Sequence, residues 1–123
     1  MNDASELRAL LAHHTGTTEW YSHSLVRTMR YTDGVRCFAL HAGGGAYWLL
    51  DIIFTEPKIV RPMRSEGIVF IELEVKDGKA LLMCKRDTDG PVYFKRRIEL
   101  TDCPEGLWRF YFQEGVLMLP SEY

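Results

Sequence analysis

Two side chains of this 123-residue sequence could hold a ligand by charge or pass it a proton near neutral pH: His23 and Asp51. His23 closes the stretch "TEWYSH", two residues after Tyr21 and four after Glu19. Asp51 interrupts the apolar run "AYWLLDII", with Tyr47 one helical turn before it and Trp48 alongside. A carboxylate among aromatic rings can take up a proton more readily than in water and act as an acid, or it can accept a hydrogen bond from a ligand. His23, which accompanies Tyr21 and Glu19, is the best acid–base candidate. Tyr31 and Asp33, in "YTDGV", complete the candidate set Tyr21, His23, Tyr31, Asp33, Tyr47, Trp48 and Asp51. Each also has a plainer role. Asp51 could tie down a loop by accepting backbone amides, and His23 could be a hydrogen-bonded packing residue. Only convergence of these residues in space would favour the chemical reading.

Several other chemistries are disfavoured by spacing. The histidines His13, His14, His23 and His41 contain no HxH or HxxxH pair, and adjacent His13 and His14 point about 100° apart on a helix. No metal and no cofactor are therefore expected. Cys37, Cys84 and Cys103 form no CxxC pair, and their odd number predicts free thiols and a cytoplasmic setting. The run Gly43-Gly44-Gly45 has neither the lysine and Ser/Thr of a phosphate loop nor GxGxxG spacing, so it reads as the entry to a buried helix. No GxSxG or HExxH motif is present. The first residues are neither a signal peptide nor a membrane span.

A formal charge of −2 argues against a strong non-specific grip on nucleic acid and against a mimic of the phosphate backbone. Basic residues nevertheless gather in two groups, Lys58, Arg61 and Arg64, and Lys85, Arg86, Lys95, Arg96 and Arg97. Glu72 and Glu74 fall on the same strand face as Lys95 and Arg97, so cross-strand charge pairing is the plainer account of the second group.

The elements that must position these residues follow from periodicity. Asp3 and Glu6 resemble a capping box before a short helix over residues 4–14, with Gly16 as its stop. "TTEWYSHS" reads as an extended connection. Asp33-Gly34 sits between two β-prone stretches and predicts a hairpin, Leu25–Tyr31 against Val35–Leu40. Residues 46–56 read as a helix apolar on most of its circumference: Ala46, Leu49, Leu50, Ile53 and Phe54 share one side, Trp48 and Ile52 extend it, and Pro57 ends it. A basic connection follows. Three strands then form a meander, Ile68–Val75, Ala80–Arg86 and Val92–Leu100, with a tight turn at Asp77-Gly78. A last hairpin turns at Glu114-Gly115. The outer face of the meander carries Phe70, Leu81, Met83 and Tyr93, so the first helix, the last hairpin or another chain must cover it. The fold class is a single α+β domain over 1–123. Its antiparallel sheet is a hairpin, a meander and a C-terminal hairpin, packed by one buried helix and a short N-terminal one.

The segments "TGTTEWYSH", "YTDGV" and "AYWLLDII" resemble an uncharacterised family of small proteins found in bacteria, phages and plasmids. The matching positions are Gly16, Thr17, Glu19, Tyr21, His23, Tyr31, Thr32, Asp33, Gly34, Ala46, Tyr47, Trp48, Leu50 and Asp51. The triple glycine departs from the family pattern, which is shorter there. The resemblance implies no activity. Its setting implies an accessory protein of a phage or other mobile element.

The function expected from this sequence is non-enzymatic binding of a host protein or small ligand, with counter-defence as one setting and self-association compatible with it. No membrane association is expected. The alternatives are a small enzyme with a His/Asp/Tyr cleft and a nucleic-acid binder acting through the basic hairpin.

Overall fold

The structure is a computed structural model and describes residues 3–15 and 19–123. The first helix, α1 (Ala4–Leu11), starts where the sequence places it: the Asp3 carboxylate accepts the Glu6 amide at 2.8 Å. The helix ends at Leu11, ahead of residue 14. Gly16, the expected stop, lies outside the described residues.

The first hairpin of the sequence reading is replaced by a different arrangement. Two short strands, β1 (Trp20–Ser22) and β2 (Arg30–Thr32), pair antiparallel, and the chain then enters α2 (Asp33–His41). Thr32 is the N-cap, its hydroxyl accepting the Val35 amide at 3.3 Å. Asp33 occupies the first turn, where a carboxylate is favoured by the helix dipole. Val35, Phe38, Ala39 and Ala42 are spaced for one helical stripe and are fully buried. That stripe and the threonine cap outweigh the Asp-Gly turn signal. Gly34 is accordingly absent from the positive-φ glycines. It is small for another reason: a Cβ there would lie 2.5 Å from Glu122 Oε1 and 2.6 Å from Leu119 Cδ1.

The buried helix α3 (Tyr47–Thr55) follows the sequence reading, with Leu49, Leu50, Ile53 and Phe54 at or below 2% exposure. Glu56 leaves helical geometry before Pro57, as the proline requires. The "basic connection" is instead a helix, α4 (Pro57–Glu66). Pro57 stands in its first turn, where no amide is needed. The Glu56 carboxylate accepts the Lys58 amide, and Gly67 ends the helix at φ +91°. Ile59 and Met63 are buried, while Lys58, Arg61 and Arg64 face solvent. The charges are thus the solvated side of an amphipathic helix.

The meander is β3 (Ile68–Lys76), β4 (Lys79–Lys85) and β5 (Val92–Ile98), followed by β6 (Gly106–Gln113) and β7 (Val116–Met118). The turns read from sequence are present, with Asp77, Gly78, Glu114 and Gly115 all at positive φ. The seven strands form one sheet in the order β1-β2-β7-β6-β3-β4-β5, antiparallel except for the β2–β7 pair. One face packs against the helices: Phe38 meets Trp108 and Phe110, and Phe54 meets Phe112. Tyr93 belongs to this helical side, its hydroxyl donating to the Lys58 carbonyl at 3.0 Å, and not to the outer face. On the outer face Phe70 packs edge-on against Tyr111, and Tyr111 against Tyr123 at the C-terminus. The first helix packs on α2.

Candidate functional site

Four elements, β1, β2, α2 and α3, bring most of the candidate residues to one end of the sheet. The β1–β2 register places Tyr21 directly opposite Tyr31. Their rings stack at 5.7 Å between centroids. From α3, Tyr47 meets the Tyr31 ring edge-on at 6.2 Å, and Phe54 lies against its other neighbours at 6.5 Å from Tyr31 and 5.0 Å from His23. Helix α2 adds Asp33 at its first position and Arg36 one turn on, and the Arg36 guanidinium lies 5.0 Å from the Tyr21 ring centre. The result is a ladder of rings bordered by carboxylates.

The Tyr21 hydroxyl lies 2.8 Å from Glu19 Oε2 and 2.8 Å from Asp33 Oδ1. A phenol carries one proton and an ionised carboxylate only accepts. It can therefore donate to one of these acids at a time, and the second acceptor faces an oxygen lone pair. Hydrogen bonding to Asp33, then to Glu19, holds the Tyr21 phenol up at about 12. Tyr31 is also raised, by burial first and then by Tyr47.

His23 and Asp51 do meet. His23 Nε2 lies 2.7 Å from Asp51 Oδ1. On the other side of the ring, Nδ1 accepts the Val26 amide at 3.0 Å and the Leu25 amide at 3.3 Å. Two amide donors at Nδ1 fix the tautomer with its proton on Nε2, aimed at Asp51. The His23 side chain is 3% exposed and that of Asp51 is 55% exposed. With both nitrogens engaged and the ring buried, His23 shapes the loop after β1 and has no nitrogen to offer a substrate. Asp51 keeps an open side to solvent.

Trp48 does not join this cluster. It points from another side of α3 into a hollow of about 760 Å³ beside β5, with Ile52, Arg96, Ile98 and Leu100. The glycines are a structural entry, as read from sequence, and their anion is supplied by the chain itself: Asp102 Oδ2 accepts the Gly44 amide at 2.7 Å. Glu72 pairs with Lys85 and Arg109, and Arg86 with Glu66, instead of the Glu72/Glu74 pairing with Lys95 and Arg97 expected from alternation. Cys37, Cys84 and Cys103 are free thiols. Among the described residues no three His, Cys, Asp or Glu side chains are grouped to hold a metal ion.

Arg36 and Glu122 were missed by the sequence reading. Arg36 is three residues after Asp33 and would have been found beside it had α2 been recognised as a helix. Glu122 accepts the Thr32 hydroxyl at 2.6 Å and the Gly34 amide at 3.1 Å, locking the C-terminus to the start of α2. No local pattern announces a contact across 90 residues.

Fold and site together define a small α+β protein whose sheet ends in an aromatic surface edged with acids. The chain belongs to DUF6876, a family of unknown function, whose model matches residues 5–123. No curated protein and no solved structure matches the chain. Among the described residues no helix is long and apolar enough to cross a membrane.

The tyrosines give a direct check of this geometry. Tyr21, held by its carboxylates, and Tyr93, desolvated by burial, are both raised to about 12. Both ordinarily ionise near 10.0. Because the folded values lie above the unfolded ones, the protonated phenols favour the fold fully below about pH 10 and lose that contribution as pH rises through about 12. Phenolate absorbance should show at least these two of the six tyrosines still protonated near about pH 11 in the native protein. All six should ionise together in denaturant. A native titration superimposable on the denatured one would contradict the Tyr21 contacts.

Proposed function

We propose that the chain is a non-enzymatic binding protein whose Tyr21–Tyr31–Tyr47 surface receives a cationic side chain. In the setting of a phage or mobile-element accessory protein, that side chain is a basic residue of a host protein. The observation that carries this reading is the phenol of Tyr21 between two carboxylates at 2.8 Å each. The single phenol proton serves one acid at a time, so negative charge gathers at this edge and draws a charged donor from outside. Aromatic faces add to the attraction, since a guanidinium or ammonium over a ring gains about 0.5–1 kcal/mol at an exposed site. The chain already uses the contact internally, with Arg36 on Tyr21 and Arg30 on Trp20. Asp51 supplies further exposed negative charge. The engaged nitrogens of His23 favour binding over acid–base chemistry.

A fluorescent acetyl-Gly-Arg-Gly-Arg-Gly peptide provides the test. It should bind in a saturable way, and a glutamate version should not. Tyr47→Ala, at an exposed ring, and Asp51→Asn, which still accepts from His23 Nε2, should each weaken binding by roughly 3-fold with melting little changed. Competition by methylguanidinium at equal site occupancy would point to a small cationic ligand instead of a protein. Equal binding of the arginine and glutamate peptides would overturn the reading.

A further inference from the structure

The opposite end of the sheet has the complementary chemistry. Strand β5 is the last of the seven, so one of its edges has no strand neighbour among the described residues. Along it run Lys95, Arg96 and Arg97, all exposed. Alternation puts Lys95 and Arg97 on the outer face and Arg96 and Ile98 on the helical face, as their partners Met83, Leu81, Leu82 and Ala80 in β4 require. Arg96 touches Glu56 only at 4.0 Å, and no ion pair is formed by Lys95 or Arg97 among the described residues. On the helical face, the strand ends at the hollow of about 760 Å³ that holds Trp48 and Ile52, with Leu100 at its rim 86% exposed.

We propose that this edge takes an extended acidic segment of a partner protein as an added strand. Main-chain hydrogen bonds to an open strand edge supply affinity, and alternate side chains supply specificity. Here the two faces ask for different residues. Positions of the incoming strand beside Lys95 and Arg97 are matched by Glu or Asp, because opposite charges on neighbouring strands attract. Positions on the other face meet Trp48, Ile52 and Leu100 and are matched by a large apolar side chain. The occupant is therefore a strand alternating acid and hydrophobe. A second copy pairing through the same edge would set Lys95 and Arg97 against their own kind, which is unfavourable. This surface is separate from the tyrosine ladder, so either reading can fail alone.

The experiment uses the whole chain and a fluorescent acetyl-Glu-Leu-Glu-Leu-Glu-Leu-Glu peptide at low salt. The expected result is saturable binding that slows amide exchange in β5 and weakens at least 5-fold in Lys95→Glu/Arg97→Glu and, separately, in Leu100→Asp. N-methylation of alternate peptide amides should also remove most of the binding, which simple charge attraction would not do. Both variants change exposed side chains, and an unchanged melting temperature confirms the fold. The proposal is overturned if the peptide fails to bind, if a lysine version binds equally, if an oligothymidine binds this edge more tightly, or if β5 is protected by self-association of the chain instead.

Discussion

Gly34→Val should lower stability by about 3 kcal/mol, the sum of roughly 1–3 kcal/mol for overpacking and a similar loss from hydrogen bonds to a carboxylate. At this chain length that is a fall of roughly 10 °C in Tm. The cause is local. A Cβ at Gly34 meets Leu119 Cδ1 at 2.6 Å and Glu122 Oε1 at 2.5 Å. The Glu122 carboxylate cannot retreat without releasing the Thr32 hydroxyl, the Gly34 amide and the Leu119 amide. Glu122→Ala should destabilise through the same contacts, so the double variant should cost less than the two single changes added together. Gly34→Asn separates the helix start from a hairpin turn. A turn requiring positive φ would tolerate asparagine, whereas the packed helix start should not. A Gly34→Val protein melting with its parent would remove this account of the "TDG" motif.

Gly43→Ala should cost a comparable amount, by two independent routes. Its backbone is at φ +60°, where a side chain adds roughly 1–2 kcal/mol. Its Cβ would also collide with the backbone carbonyl of Asp102, and overpacking of that kind adds about 1–3 kcal/mol. Asp102 is held by the Gly44 amide, so the collision is not relieved by a swinging side chain. Gly45 stands at φ +120° with its nearest contact, the Ala39 carbonyl, at 3.6 Å. An alanine there should be destabilising through backbone strain alone, and by less. Equal losses at both positions in a denaturant titration would contradict the close approach of Asp102.

The acid–glycine pairs at Gly34, Gly78 and Gly115 show what sequence could and could not yield. Gly78 and Gly115 were legible as turns because the hydrophobic pattern on either side has period two and the turn is local. Gly34 carries the same Asp-Gly dipeptide as Gly78, but Val35, Phe38, Ala39 and Ala42 follow a helical period, and Thr32 is a cap; the longer pattern is the better guide. Helix α4 was hidden by two prolines and by basic residues, although Ile59 and Met63 are four apart on one face. The buried side of α3 was legible in full, since its apolar stripe is long and closes at Pro57. At the site, Tyr21, His23, Tyr31, Asp33, Tyr47 and Asp51 converge from β1, its following loop, β2, α2 and α3. Trp48 neighbours Tyr47 in sequence, but adjacent helical residues point about 100° apart, which sends it toward β5 and away from the cluster. Contacts such as Glu122 with Thr32 depend on tertiary approach and leave no local trace.

The tyrosine ladder is proposed to recognise positive charge. The most direct measurement is a titration of the protein, isotope-labelled in its tyrosine rings, with the arginine peptide. The ring signals of Tyr21, Tyr31 and Tyr47 should move together and saturate at one affinity, while those of Tyr93, Tyr111 and Tyr123 stay in place. If the first group stays fixed while the peptide binds, or if all the tyrosines shift alike without saturating, the ladder is not the binding surface.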